Sequence, residues 1–573
     1  MYLIEEIKKE AADFLLNQGI DKENISLEIP PADVGGDLAF PCFSLAKKRK
    51  QNPREIATDL AEKFSSGDWL EKVFAVGPYV NFGVNRQKSY QMISNNVSSM
   101  ADMYGHLSER RYRIGVEYLS PNTNKPLTIG HARNGSIGRS LIEILKFAGF
   151  EVASIILYND RGIHICKSML AYQKWGEGKT PEQLGLKPDH MIGKYYVMYN
   201  EKLEQDSDLE SEVSEMLKKW ENGDQEVRDL WKKMNEWFFL GVSETLQRVG
   251  ISFDKTYLES DIYRYGREII EHALDEKKVY RLDDGAVEVD LTDVDLDKKI
   301  LLRKDGTTVY MVQDLYLAKK KIDDLQLDKS IYVVGNEQKY HFDVLFELLD
   351  RFKIADKSKT YHLAYAMVNL ASGKKMSSRI GTGEKWDLLL DELSSLAKKE
   401  ISNRDNMLSE EETNRRAEII AQAALKYVLL NQDVNKTICF NKEEVVRFDG
   451  ETGPYLLYTY ARINSILNKL SLKEMNDVND FWEVDNEIMH SIWWHCCRLP
   501  EFVERSAKEY NPAVIAHYLF ALSQMVNNFY HQYHVINESV EYKIQSRVAM
   551  LKVVRQVMRN CFCLLGIVEL EKM

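Results

Sequence analysis

The stretch Ser120-Pro121-Asn122-Thr123-Asn124-Lys125-Pro126-Leu127-Thr128-Ile129-Gly130-His131 decides how this chain folds. Just upstream, Tyr112, Ile114, Val116 and Tyr118 alternate, which is the period of a strand. Downstream, Ile137, Leu141 and Leu145 recur at helical spacing, and Gly149 supplies the stop. Glu151 to Leu157 is strand-like again. Strand, turn, helix and strand make a βαβ unit, and such units build parallel sheets. Gly130 and His131 stand where the helix begins. A helix N-terminus offers free N–H groups and a positive dipole end to phosphate. Gly130 lets a nucleotide lie on the backbone. His131 is placed to hydrogen-bond phosphate oxygens as charge redistributes in a transition state.

Further along runs Gly373-Lys374-Lys375-Met376-Ser377-Ser378-Arg379, a basic loop flanked by Gly373, Gly381 and Gly383. A lone Gly-His is ordinarily a turn, and a lone lysine-rich loop is ordinarily solvated. Their joint occurrence, in this order and local context, points to adenylate chemistry. The chain resembles the class I aminoacyl-tRNA synthetases, specifically the arginyl-tRNA synthetase family. Thr128-Ile129-Gly130-His131 is similar to the family's His-Ile-Gly-His motif, and Lys375-Met376-Ser377-Ser378-Arg379 to its Lys-Met-Ser-Lys-Ser motif. Two positions depart from the pattern. Thr128 replaces the first histidine, and its hydroxyl can donate a hydrogen bond but cannot become cationic. Ser378 replaces the second lysine, as is common in arginyl enzymes, where a lysine just before the first motif compensates; Lys125 holds that place here.

The resemblance implies the rest of the site. ATP, accompanied by Mg²⁺, would lie on Thr128, Gly130, His131, Gly335, His341, Lys375, Met376, Ser377 and Ser378, with Lys125, Thr128, His131 and Lys375 catalytic. L-Arginine needs carboxylates for its planar cation. Glu117, Ser120 and Asn122 match the family's Glu-x-x-Ser-Pro-Asn segment, and Tyr310 and Asp314 its Tyr-x-x-x-Asp segment. The second spacing puts both residues on one helix face. Glu117 and Asp314 would hold the guanidinium, Asn122 and Tyr310 would position the amino acid, and Gln338 would complete the pocket. Gly335 to His341 follows a buried-looking strand, with His341 toward the adenosine. No protein metal ligand is expected.

The 573 residues allow three or four domains. The expected fold class is α/β multidomain: a Rossmann-like parallel-sheet catalytic domain over 111–395, an N-terminal α+β domain over 1–110, and an all-α anticodon-binding bundle over 396–573. A helical insertion is expected over about 165–245, where Val213, Met216, Leu217 and Trp220 form one apolar stripe and Val227, Leu230, Trp231, Met234 and Phe238 another. By resemblance, tRNA(Arg) would meet Tyr79 and Asn81 in the first domain, and Tyr455, Tyr458, Arg462, Tyr530 and Met573 in the last. Tyr158-Asn159-Asp160-Arg161-Gly162, after a strand, is placed on the active-site rim.

The net charge of −12 does not oppose this, because phosphate affinity follows local basic stripes such as Lys47-Lys48-Arg49-Lys50. Seven scattered cysteines without a Cys-x-x-Cys pair argue against a disulfide framework or a zinc-dependent cysteinyl enzyme. No apolar run approaches the ~20 residues of a membrane span, and no secretory signal is visible, so a cytoplasmic protein is expected; the resemblance implies a monomer. A small nucleotidyltransferase would not need a tyrosine-lined bundle. The alternative reading is a non-catalytic, synthetase-derived tRNA-binding protein. Thr128 is its best support, and the retention of Lys125, His131, Lys375, Glu117 and Asp314 opposes it.

Overall fold

A computed structural model of the chain describes residues 2–31, 34–370, 384–404, 408–471 and 482–573. At its centre five strands run parallel, in the order Thr360–Tyr365, Lys329–Gly335, Arg110–Glu117, Phe150–Tyr158, Lys255–Leu258. The first strand in sequence is the middle one. The chain winds outward from it in one direction, then returns to its other side. That reversal opens a crevice at the carboxyl ends of Arg110–Glu117 and Lys329–Gly335, where open α/β sheets hold ligands.

The helix Ile129–Phe147 packs across this sheet, with Ile129, Ile137, Leu141, Ile144 and Leu145 buried. It comes close because Gly138 faces Tyr118; a Cβ there would lie 2.3 Å from the ring. Covering on both faces explains why Ile114 through Leu119 are all buried, rather than every second residue.

The insertion is helical, as its stripes predict: Ile163–Trp175, Pro188–Leu203, Leu209–Glu221 and Gln225–Val249. Val213, Met216, Trp220, Met234 and Phe238 are buried between these helices. Gly193 brings Pro188–Leu203 against the signature turn; a Cβ on it would meet Pro126 at 2.6 Å. A small antiparallel sheet of Tyr280–Arg281, Val287–Val289 and Lys299–Leu302 precedes the helix Tyr310–Leu325. Its strands are too short to register as alternation.

The N-terminal unit has an antiparallel sheet with the order Leu38–Pro41, Tyr79–Val84, Leu70–Val76, covered by helices. The last unit is a bundle built from Glu410–Leu430, Gly453–Ser471, Glu487–Cys497, Leu499–Glu509, Ala513–Gln532 and Glu541–Leu564. These two ends of the chain pack on each other. Arg86 makes a two-pronged pair with Glu487 at 2.7 and 2.8 Å. Buried His490 sits between Asp37, at 2.5 Å, and the Tyr90 hydroxyl, at 3.1 Å. No helix among the described residues is long and apolar enough to cross a membrane.

Candidate active site

Thr128 has extended backbone and caps the helix Ile129–Phe147. Its N–H donates to Nδ1 of His131 at 3.0 Å, and its Oγ1 lies 3.1 Å from the same nitrogen. With Nδ1 engaged as an acceptor, the neutral ring carries its proton on Nε2. Burial, reinforced by the charge of Lys125, pushes the His131 imidazolium down to about 4. His131 is therefore a neutral donor at physiological pH. A Cβ on Gly130 would meet only Thr128 Oγ1, at 3.7 Å, so the space over that backbone is open.

Lys375, Met376, Ser377 and Ser378 lie outside the described residues. The chain that follows them is placed. The Ile129 N–H donates to the Glu384 carbonyl at 3.0 Å, the Trp386 N–H donates to the Leu127 carbonyl at 2.9 Å, and Thr128 pairs with Lys385. The segment after the second motif is thus zipped onto the first.

The turn itself is strained. Leu119 and Ser120 both have positive φ, +71° and +34°, a cost of order 1–3 kcal/mol each that only surrounding structure can enforce. Asn134 supplies part of it: its Oδ1 accepts the Leu119 N–H at 2.6 Å, and its amide donates to the Val333 carbonyl at 2.8 Å. Asn159 supplies more, pairing with Pro121 and Thr123. Asn122 consequently stands exposed above the crevice.

Tyr310 opens its helix and is exposed; Asp314 lies one turn on, with Oδ2 2.8 Å from Nε2 of His341. His341 therefore sits directly beside Asp314. Gln338 is exposed on the turn after Lys329–Gly335, and Gly335 is buried at the strand's end. Glu117 differs from expectation. It is buried, and Lys321, two helical turns beyond Asp314, donates to its Oε2. Burial works against the Lys321 ammonium, yet the Glu117 charge outweighs it and holds Lys321 above its ordinary range. Glu117 thus already has a cationic partner within the fold.

Sequence reasoning missed Glu259. It follows the strand Lys255–Leu258, and its carboxyl is pushed up to about 7 by burial, with Asp160 and Asp314 adding negative charge and Arg161 opposing. Arg161 Nη1 stands 3.6 Å from it. The legible signal was an acid at a strand's carboxyl end. In the segment expected on the rim, Asp160 accepts from the Ser260 N–H and hydroxyl at 2.8 and 2.7 Å, and the Trp231 indole donates to the Asp160 carbonyl at 2.6 Å. Beside Tyr310 and Gln313 opens a cleft of about 560 Å³, whose walls include Arg161, Arg264, Arg267 and Arg303.

The remote residues divide by exposure. Tyr79 packs edge-on to exposed Phe43 at 5.6 Å. Asn81, expected to meet a base edge, is fully buried and donates to the Tyr79 carbonyl at 3.4 Å, so it supports the turn instead. Tyr458 is 37% exposed, whereas Tyr530 is 7% exposed and lies under Arg462 at 4.8 Å. Tyr455 is half-buried, its hydroxyl accepting from Asn527 at 2.9 Å. Met573 is half-exposed and packs on the core.

Comparison with known proteins matches all three regions. The family model "tRNA synthetases class I (R), catalytic domain" covers residues 93–441, "DALR anticodon binding domain" covers 456–573, and "Arginyl tRNA synthetase N terminal domain" covers 1–84. The arginine–tRNA ligase of Treponema pallidum is 39% identical over 97% of this chain and 96% of its own length. That of Amoebophilus asiaticus is 37% identical over 98% and 100%. Among solved structures, Thermus thermophilus arginyl-tRNA synthetase superposes over the full length of both chains with a TM-score of 0.84 at 24% identity.

Proposed function

The chain belongs to the class I arginyl-tRNA synthetases, and from that premise we propose which of its residues carry the reaction. The activity is the attachment of L-arginine to tRNA(Arg) at the expense of ATP. The observation that supports the residue roles best is a convergence at one sheet edge. A capped helix N-terminus with a neutral histidine donor stands beside a cluster of carboxylates.

In this reading the guanidinium of arginine enters between Asp314 and Glu259, where two carboxylates can take a planar cation bidentately. Tyr310 and Gln338 flank it, and Glu117 with Lys321 forms the ordered floor. Asn122 and Ser120 position the α-amino and carboxylate groups. The arginine carboxylate attacks the α-phosphate of ATP in line, forming arginyl-adenylate and pyrophosphate. The helix terminus at Gly130 and the Nε2–H of His131 stabilise the charge that develops on phosphate. Thr128 replaces the missing histidine as a cap: it sets the His131 tautomer. Lys125 and Lys375 neutralise the departing pyrophosphate.

Mg²⁺ comes with the ATP phosphates, as it usually does. The group of Asp189, His190 and Asp387, whose ligand atoms lie within 4.8 Å of one another, does not suit it, because Lys187 Nζ already sits 2.9 Å from Asp387 and 3.3 Å from Asp189. The arginine-lined cleft beside Tyr310 receives the 3′ end of the tRNA, and the terminal ribose takes the arginyl group from AMP. Half-buried Tyr79 and exposed Tyr458 stack on unpaired bases. The working domains are 1–110, 111–395 and 396–573, in a cytoplasmic monomer whose adenylation requires bound tRNA.

The test is ATP–pyrophosphate exchange with arginine, with and without tRNA(Arg), with lysine and cysteine as controls. Arginine-specific exchange that needs tRNA supports the scheme. Exchange without tRNA would refute the coupling while leaving the pocket intact.

A further inference from the structure

Two residues after His131 the signature helix carries Arg133, a fully buried cation. Among the described residues no carboxylate lies within 4.0 Å of its guanidinium. Its partners are backbone carbonyls. Nη1 donates to Ala366 at 2.5 Å and Met367 at 3.1 Å. Nη2 donates to Lys436 at 2.8 Å, Val434 at 3.2 Å and, more weakly, Asp433 at 3.4 Å. Burial pulls the guanidinium down to about 10, so it stays charged at neutral pH.

These carbonyls come from two distant pieces of chain. Residues 366–367 leave the sheet strand Thr360–Tyr365, and residues 433–436 leave the bundle helix Glu410–Leu430. The two pieces then continue as the paired strands Val368–Leu370 and Ile438–Phe440. The four Nη hydrogens of the planar guanidinium meet this ring of acceptors, while the buried Nε–H has no partner. An ammonium has three donors and no fixed plane. A buried charge is costly to keep, even with Tyr365 and Asp433 close enough to favour it, and a hydrophobic residue would pack a helix onto a sheet as well. The arrangement is therefore suited to holding two segments in one geometry against the helix end that bears Gly130 and His131.

We propose that Arg133 is a positioning residue for adenylate formation, locking residues 366–367 and 433–436 to the phosphate-binding end of its helix. This rests on the arginyl-tRNA synthetase reading above. The guanidinium does not touch substrate; it acts by keeping the His131 turn, the exit from the sheet and the first segment of the bundle in register. A bundle rearranged by its RNA would then be felt at the reacting phosphate through one side chain.

The experiment uses the full-length chain and its Arg133→Lys variant, in tRNA-supported exchange. The natural protein must first show arginine-dependent exchange; if it does not, the underlying reading fails and not this one. The expected result for Arg133→Lys is a kcat at least tenfold lower, with KM for arginine and ATP and the Kd for tRNA(Arg) each within threefold. A kcat within twofold of the natural protein overturns the proposal. So does a parallel loss of kcat and of all three affinities, which would indicate general unfolding of the site. If the variant does not fold, hydrogen–deuterium exchange on the natural protein decides. Binding of 5′-O-[N-(L-arginyl)sulfamoyl]adenosine is expected to protect 127–133, 365–369 and 432–438 together. Protection confined to 127–131 overturns the proposal.

Discussion

Thr128 donates its backbone N–H to Nδ1 of His131 at 3.0 Å, and this bond assigns the imidazole proton to Nε2. Any residue other than proline at 128 would supply that backbone N–H; what the threonine adds is its hydroxyl, 3.1 Å from the same nitrogen. Protonating Nδ1 would set two N–H groups against each other, which agrees with an imidazolium pushed down to about 4.

His131→Ala is expected to lower the kcat of exchange about 10²- to 10³-fold, the usual loss for one preorganised donor, with tRNA affinity unchanged by filter binding. A neutral donor has no titration to contribute near neutrality. The kcat profile from pH 6 to 8 should carry no acidic limb that disappears in His131→Ala; finding one would mean that the ring acts as a cation.

Glu259 is expected to make arginine binding pH-dependent. In the free protein its carboxyl is held up to about 7, so at pH 6 it is mostly protonated. A bound guanidinium favours the carboxylate, so binding releases a proton and strengthens as pH rises. Below pH 7 the KM for arginine should increase toward about tenfold per unit. Calorimetric titrations in buffers of different ionisation enthalpy would register the proton; uptake instead of release refutes the assignment. Glu259→Gln should raise KM about 10- to 100-fold and flatten the dependence.

Lys321 and Glu117 form a buried pair, at 3% and 11% side-chain exposure. Removing one partner strands the other charge. Lys321→Met is expected to cost about 3–5 kcal/mol in urea unfolding, and Lys321→Met with Glu117→Gln considerably less. Equal costs for the single and double variants would show that the pair is not coupled.

Tyr458 and Tyr530 share one expectation from sequence but differ in exposure, 37% against 7%. Tyr458→Ala should raise the Kd for tRNA(Arg) about 5- to 100-fold, the range for one stacked base, and leave the stability within about 0.5 kcal/mol. Tyr530→Ala should instead lower stability by about 3–5 kcal/mol through its cavity. Differential scanning fluorimetry beside filter binding separates the two.

Much of the catalytic fold was legible because its signals are local. Alternation through Tyr112–Tyr118, the helical repeat of Ile137, Leu141 and Leu145, and the turn before Gly130 all depend on neighbours a few positions apart. The insertion's stripes were legible for the same reason. The small sheet at Tyr280–Leu302 was not, since strands of two to four residues carry no period. Asn81 looked like an RNA contact because its segment resembles the family's tRNA-contacting one, and resemblance does not say which way a side chain faces. Only the pairing of Tyr79–Val84 between two other strands turns its side chain inward.

By itself the sequence determined the βαβ unit, the phosphate-binding helix end and the membership that its motifs announce. Tertiary structure alone decided who partners whom among the charges. Glu117 meets Lys321 across 204 positions, Asp314 meets His341 across 27, and Arg133 meets carbonyls 233 to 303 positions away. The reason is physical. Backbone conformation responds to adjacent residues, whereas an ion pair or a hydrogen bond acts over a few ångströms of space. Which groups come that close is set by how the sheet reverses at its middle strand and how the bundle closes against it.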